Sequence, residues 1–114
     1  MNMAKLGDPS RELAARVLTE VDFEHRLNGF ILRERAGALP ITMYSFEEVV
    51  SFLNDHHPRV DFNELKGWMR ETMDDMELTE RIAEAVRIGR SDQDRLQRIR
   101  KLMEERLNQC KKLV

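Results

Sequence analysis

The stretch 91–114, SDQDRLQRIRKLMEERLNQCKKLV, places Leu96, Ile99, Met103, Leu107, Cys110 and Val114 at intervals of 3, 4, 4, 3 and 4 residues. An α-helix turns once in about 3.6 residues, so this spacing lines all six side chains along one face. Ser91, with Asp94 three residues on, supplies oxygens for amides that the first turn leaves unsatisfied. A long amphipathic helix over about 91–113 follows. Its stripe either packs across the rest of the chain or pairs with its copy in a second subunit. Packing within the chain is favoured, because a coiled coil wants three or four sustained heptads.

The same signals divide the rest of the chain. Ser45-Phe46-Glu47-Glu48 has the form of a capping box and opens a helix carrying Phe46, Val49, Val50 and Leu53, which stops near 54–58. Asp61 with Glu64 repeats the box before Phe62, Leu65, Trp68, Met69 and Met73. Gly67 interrupts that helix beside Trp68, which suggests close packing there. Asp74-Asp75 restarts the chain almost without a loop, and Leu78, Ile82, Ala85 and Val86 share a face until Gly89. At the other end, Asp8-Pro9 reads as an N-cap followed by proline, with Leu13, Ala14, Val17, Leu18 and Val21 continuing one helix to Asn28-Gly29. Between 30 and 44, Phe30-Ile31-Leu32 and Ile41-Thr42-Met43-Tyr44 flank Gly37 and Pro40, a pattern that suits either a short β-hairpin or an irregular insert with a helical turn. A hairpin would have to pack on the helices, through Phe30, Leu32 and Tyr44.

The expected architecture is therefore mainly α: a compact bundle of about five helices in one domain, 1–114, with a hairpin or irregular insert at 30–44. Its expected core includes Phe23, Phe46, Phe52, Phe62, Leu65, Trp68, Met69 and Ile82. The chain has 114 residues, of which 41% are hydrophobic and 35% charged, and 21 acidic against 19 basic side chains argue against a disordered polyelectrolyte. The single Cys110 permits no intrachain disulfide, and with seven methionines it suits a reducing, cytoplasmic setting. Residues 1–7 carry no signal-peptide apolar stretch, and no run approaches the length of a membrane span.

Most catalytic motifs are missing. Glycines at 7, 29, 37, 67 and 89 are too dispersed for a dinucleotide turn or a phosphate-cradling loop. One cysteine and three histidines, His25, His56 and His57, lack the paired spacing of a zinc site. No cofactor, metal site or catalytic residue is assigned, and the chain reads as a non-enzyme. Asp55-His56-His57 suits a polar helix terminus better than chelation, since adjacent side chains diverge by about 100° on a helix. Glu71, Asp74, Asp75 and Glu77 suit capping better than cation binding. A pocket joining His25, His56 or His57 to that acidic cluster would be the ground for reviving an enzyme reading.

Charge is segregated. Residues 61–84 hold eight acidic and three basic side chains, whereas residues 87–112 hold nine basic and four acidic. The simplest consequence is that the basic last helix folds over the acidic pair of helices; the functional alternative leaves it free for a partner. The function expected on these grounds is a protein-interaction or regulatory module, bound to a protein partner or to itself through Arg95, Arg98, Lys101, Met103 and Leu107 of the last helix. Truncation after Gly89 would then leave a folded, partner-deficient domain. The alternative is a nucleic-acid-binding regulator of helix-turn-helix type, with 63–72 as the reading helix. A net charge of −2 and the acidic Glu64 and Glu71 disfavour it.

Asp61-Phe62, Trp68, Asp75-Met76-Glu77-Leu78 and Arg81-Ile82 together resemble the motif of a family of uncharacterised helical proteins of bacteria and archaea. There, an Asp-Phe-x-x-Trp helix is followed after a short break by an Asp-x-Glu-Leu-Ala helix. The resemblance spans residues 45–82, with two departures: Asn63 to Gly67 separate Phe62 from Trp68, and Thr79 stands where alanine is usual. That family has no assigned activity, so the resemblance implies an all-helical fold and no catalytic residues.

Overall fold

The computed structural model describes residues 5–114; Met1–Ala4, part of the opening segment inspected for a signal peptide, lie outside the described residues. In chain order the elements are α1 (Arg11–Val17), a 3-10 turn (Phe23–His25), β1 (Leu27–Arg33), β2 (Gly37–Met43), α2 (Phe46–Leu53), β3 (Pro58–Arg59), α3 (Phe62–Gly67) running into a π turn (Trp68–Thr72), α4 (Met76–Ile88) and α5 (Asp92–Lys112). The protein is mainly α with a three-stranded antiparallel sheet ordered β2-β1-β3. α5 packs against α1, α2 and α4.

Helix starts follow the capping residues. Ser45 Oγ accepts from the Glu48 N–H at 3.1 Å, and Glu48 Oε1 accepts from the Tyr44 N–H at 2.6 Å. Ser91 and Asp94 repeat the arrangement, Asp94 Oδ2 reaching back to the Arg90 N–H at 3.0 Å. Asp61 and Asp75 cap α3 and α4 with side-chain oxygens. Each cap satisfies amides that the helix itself cannot.

The first helix is shorter than its periodicity predicts. Ser10, not Asp8, is its cap, and it ends at Val17. The Thr19 hydroxyl bonds the Ala15 carbonyl, and the Val21 N–H donates to the Tyr44 carbonyl at 2.7 Å, drawing the chain alongside the end of β2. Sheet pairing then overrides helix propensity from Leu27 onward. Gly29 lies inside β1, where a Cβ would stand 2.8 Å from Phe52 Cζ and 3.0 Å from the Arg59 carbonyl oxygen. Gly29 therefore marks a close approach of strand to helix. Gly67 does not, since a Cβ there would meet only Glu71 Oε2 at 3.8 Å. What distinguishes that point is the π turn beginning at Trp68, whose carbonyl accepts from the Met73 N–H.

The insert at 30–44 is a hairpin. Its turn, 34–36, is followed by Gly37 at φ 73°, a left-handed backbone that glycine adopts without strain. Its register reverses the expected packing: Leu27, Ile31 and Met43 enter the core, whereas Phe30 and Leu32 face solvent and Tyr44 is half-buried. A one-residue change of phase moves every side chain to the other face. Of the expected core, Phe46, Phe52, Leu65, Trp68, Met69 and Ile82 are buried and Phe62 is half-buried. Phe23 is 64% exposed in the 3-10 turn, its ring covered on one side by the Arg26 guanidinium at 3.8 Å.

α5 buries Leu96, Ile99, Leu102, Met103, Arg106, Leu107 and Cys110, while Val114 remains exposed. Arg106 and Asp75 side chains are each 1% exposed. Arg106 Nε donates to Asp75 Oδ2 at 2.8 Å, Nη2 to Asp75 Oδ1 at 3.3 Å and Glu77 Oε1 at 2.9 Å, and Nη1 to the Gly7 carbonyl and Gln109 Oε1, both at 2.8 Å. All five guanidinium hydrogens are thus engaged. The same cluster holds the N-terminal segment: Glu77 Oε2 accepts from the Gly7 N–H at 2.8 Å, Gln109 donates to the Leu6 carbonyl, and Glu105 accepts from the Leu6 N–H.

Removing one member of a buried ion pair strands the other, so Arg106→Leu is expected to cost about 3–5 kcal/mol in denaturant unfolding. Arg87→Ala, at an exposed pair with Glu84, should leave the midpoint unchanged. Because α5 supplies seven buried residues, truncation after Gly89 should give an unfolded chain by circular dichroism, not a separable domain. Glu77 is held below its ordinary value of 4.5 chiefly by the Gly7 N–H, with Arg106 acting in the same direction and desolvation against them. A carboxyl with a depressed folded-state value stabilises the fold above its unfolded value and loses that contribution as pH falls through the folded one. Protection of the Gly7 amide, relative to its intrinsic exchange rate, should therefore be full above pH 4.5 and fall on further acidification, and Glu77→Gln should remove the dependence.

Candidate functional site

The sequence-predicted residues of α5 do not share one surface. Met103 and Leu107 are buried in the core, so a partner cannot reach them without opening the fold. Arg95 Nε is spent on the Val86 carbonyl at 2.8 Å and its Nη1 on Asp92 at 3.0 Å. Arg98 pairs with Asp94 at 3.1 Å, one turn away. Arg98 and Lys101 do meet, in a shallow cleft of about 360 Å³ that Lys5 and Arg81 also line. Much of the basic excess of 87–112 is offset locally, by Asp92, Asp94, Glu84 and Glu104 at i,i+3 or i,i+4 spacing. Arg106 crosses to the acidic segment, at Asp75 and Glu77.

The helix-turn-helix reading met a different obstacle. Between α2 and α3, Pro58 and Arg59 form a strand that joins the sheet beside β1, so these two helices are not linked by a tight turn. The acidic cluster is divided as well. Asp75 and Glu77 hold Arg106, Asp74 faces Arg16 at 3.6 Å, and Glu71 lies elsewhere, on the wall of a groove. Among the described residues no group of three or more His, Cys, Asp or Glu is placed to hold a metal ion. Cys110 is fully buried, and burial pushes its thiol up, which suits packing.

That groove, about 590 Å³, brings His25 and Glu71 into one lining with Glu64 and Trp68. The π turn aims the indole across it, where Nε1 donates to the His25 carbonyl at 2.6 Å. His25 Nδ1 is paired with Asp22, and its value is raised above 6.5 first by that hydrogen bond and then by the Asp22 charge. Asp22 is lowered by the same pair. Acid–base pairs of this form orient an imidazole. Both side chains are more than half exposed, however, and water weakens what such a pair can do to a reacting group.

The most coherent exposed feature is the outer face of the sheet. Directly opposed strand residues share a face, and Asn28, Phe30 and Leu32 of β1 oppose Thr42, Pro40 and Ala38 of β2, all exposed. Phe30 is 41% and Leu32 38% exposed. Arg59 lies across from Phe30 on β3, and Arg33 and Arg35 stand at the hairpin tip; none of the three has a carboxylate within ion-pair distance among the described residues. The sheet edge is a poor alternative. The Leu32 N–H donates to the His57 carbonyl, so even-numbered β1 residues turn their backbone groups toward β3 and odd-numbered ones toward β2. Ala38, Pro40 and Thr42 then face the open edge, and Pro40, in the middle, has no N–H to offer.

A raised imidazole contributes stability below its unfolded value and loses it as pH rises through the folded one. Asp22→Asn should therefore bring the His25 midpoint down toward 6.5 in an NMR titration. An unmoved His25 would mean the pair does not persist in solution.

Comparison with known proteins adds no name to this geometry: no family model matches the chain, and neither a curated protein nor a solved structure matches it.

Proposed function

We propose that the chain is a non-catalytic protein-interaction module whose docking surface is the outer face of the hairpin, built by Phe30, Leu32, Ala38 and Pro40, with Arg59 across from Phe30 and Arg33 and Arg35 at the hairpin tip. Its occupant is an acidic segment of a protein partner, carrying apolar anchors. The observation that carries this reading is an exposed apolar strand face with Arg59 across from it and Arg33 and Arg35 at its tip, none of which has a carboxylate partner among the described residues. Aromatic residues and arginine are enriched at interfaces, and unpaired positive charge selects a negative partner while speeding encounter. The reading moves the surface from the last helix, whose apolar stripe is already covered, to the hairpin. It also replaces self-association, because two copies of this face would oppose like charges.

The test is selection of displayed peptides against the folded protein. Enriched sequences should be acidic with leucine or aromatic anchors, and they should lose binding to Phe30→Ser with Leu32→Ser, and to Arg33→Glu with Arg35→Glu. These positions are exposed, so the thermal midpoint should move little. Basic peptides, or shift perturbations mapping to another face, would sink the reading. Tight binding of random-sequence duplex DNA at low salt that collapses at physiological salt would favour the nucleic-acid regulator instead.

A further inference from the structure

His56 and His57 enter neither the core nor the docking face, yet the fold gives them a definite place. They line an open cleft of about 400 Å³ whose other polar walls are Asp55, Arg59, Gln93, Gln97 and Arg100, with only the two arginines half-buried and the rest exposed. Three separate elements supply these groups: the loop after α2, strand β3, and one side of α5, where Gln93, Gln97 and Arg100 recur at helical spacing. His57 sits at φ 52°, a left-handed backbone that costs a non-glycine residue on the order of 1 kcal/mol, and β3 pairing holds the loop that way.

The donor inventory is one-sided. Two guanidiniums, two imidazoles and two carboxamides face a single carboxylate, Asp55, whose Oδ1 accepts from the His56 backbone N–H at 2.7 Å. Arg59 spends one nitrogen on the Pro58 carbonyl, and Arg100 Nη1 spends itself on Asn54 Oδ1 at 3.1 Å and, more distantly, Glu104 at 3.5 Å. Among the described residues the remaining guanidinium hydrogens have no protein acceptor. Planar guanidiniums are suited to bidentate recognition of oxyanions, and a group with three or four equivalent oxygens matches donors arriving from three directions better than a two-oxygen carboxylate does.

We propose that this cleft is an anion site that takes a phosphoryl group, carried either by a small phosphorylated metabolite or by a phosphorylated side chain of another protein. The site shares Arg59 with the docking face but not His57 or Arg100, whose variants let either reading fail alone. The fixed donors of the site are the two guanidiniums and the two carboxamides, and each imidazole adds at least one ring N–H.

The experiment is an NMR titration with inorganic phosphate, following arginine Nε–H and histidine ring signals at constant ionic strength, with chloride as the control. Saturable shifts are expected at Arg59, Arg100, His56 and His57, with His25 as an unaffected internal reference. Arg59→Gln and Arg100→Gln should each weaken phosphate about tenfold or more. His57→Gly keeps the test sound, because glycine accepts the left-handed backbone and the variant should fold at least as well while binding phosphate less. A phosphoserine peptide that outbinds inorganic phosphate would identify a protein carrier and a sugar phosphate that does so a metabolite; both support the site. Shifts no larger than with chloride, affinity unchanged in the three variants, or shifts centred on the Lys101 cleft would overturn it.

Discussion

The ion pair between Arg106 and Asp75 is the constraint on which the rest of the structure depends. Two charges at 1% exposure are costly to bury, and the cost is met only because every hydrogen of the guanidinium has an acceptor. Those acceptors come from three parts of the chain. Asp75 begins α4 and also caps it through the Leu78 N–H, so the pair fixes where that helix starts. Glu77 and Gln109 bind the backbone at Gly7 and Leu6, so the same pair ties the N-terminal segment across α4 and α5. Thr79, which stands where the resembling motif has alanine, uses its hydroxyl on the Asp75 carbonyl at 2.7 Å and so belongs to this cluster.

What was legible in the sequence was local. Ser45, Asp61, Asp75 and Ser91 act through amides two or three residues away, and a cap that needs no distant partner can be read without knowing the fold. The stripe of α5 was legible because it is long. The N-terminal helix was not, since Val21 and Leu27 answer to β2, about twenty residues further on, and helical periodicity cannot foresee a strand. The hairpin's register was hidden for a related reason: Phe30 and Leu32 are as apolar as Leu27 and Ile31, so alternation names two faces without saying which is inward. Pro40 held the missing clue, because it fits only where the β1 ladder needs no N–H.

Charge shows the same division between local and distant. The excess of basic residues over 87–112 suggests a helix looking for acid, yet most of its arginines find a carboxylate one turn away, and a surface pair of that kind contributes little. The arginine that matters energetically is indistinguishable from its neighbours in the sequence. Arg106 is set apart only by lying between Met103, Leu107 and Cys110 on the buried side, a position where an unpaired charge would be intolerable.

The proposed binding surfaces lie where arginines are left over from these pairs. Among the described residues, Arg33, Arg35 and Arg59 are three of the arginines without a carboxylate partner, and Arg100 retains hydrogens beyond its Asn54 and Glu104 contacts. Arg59 and Arg100 border the β3 side of the sheet and the cleft behind it, while the acidic groups of α3 and α4 are engaged elsewhere or line the Trp68 groove. Lack of a carboxylate partner is shared by Arg11, Arg26, Arg70 and Arg90 among the described residues, so the proposed surfaces rest on where Arg33, Arg35, Arg59 and Arg100 lie, beside an apolar sheet face and a polar cleft. The long helix that dominates the sequence packs on α1, α2 and α4 and gives its apolar stripe to the core.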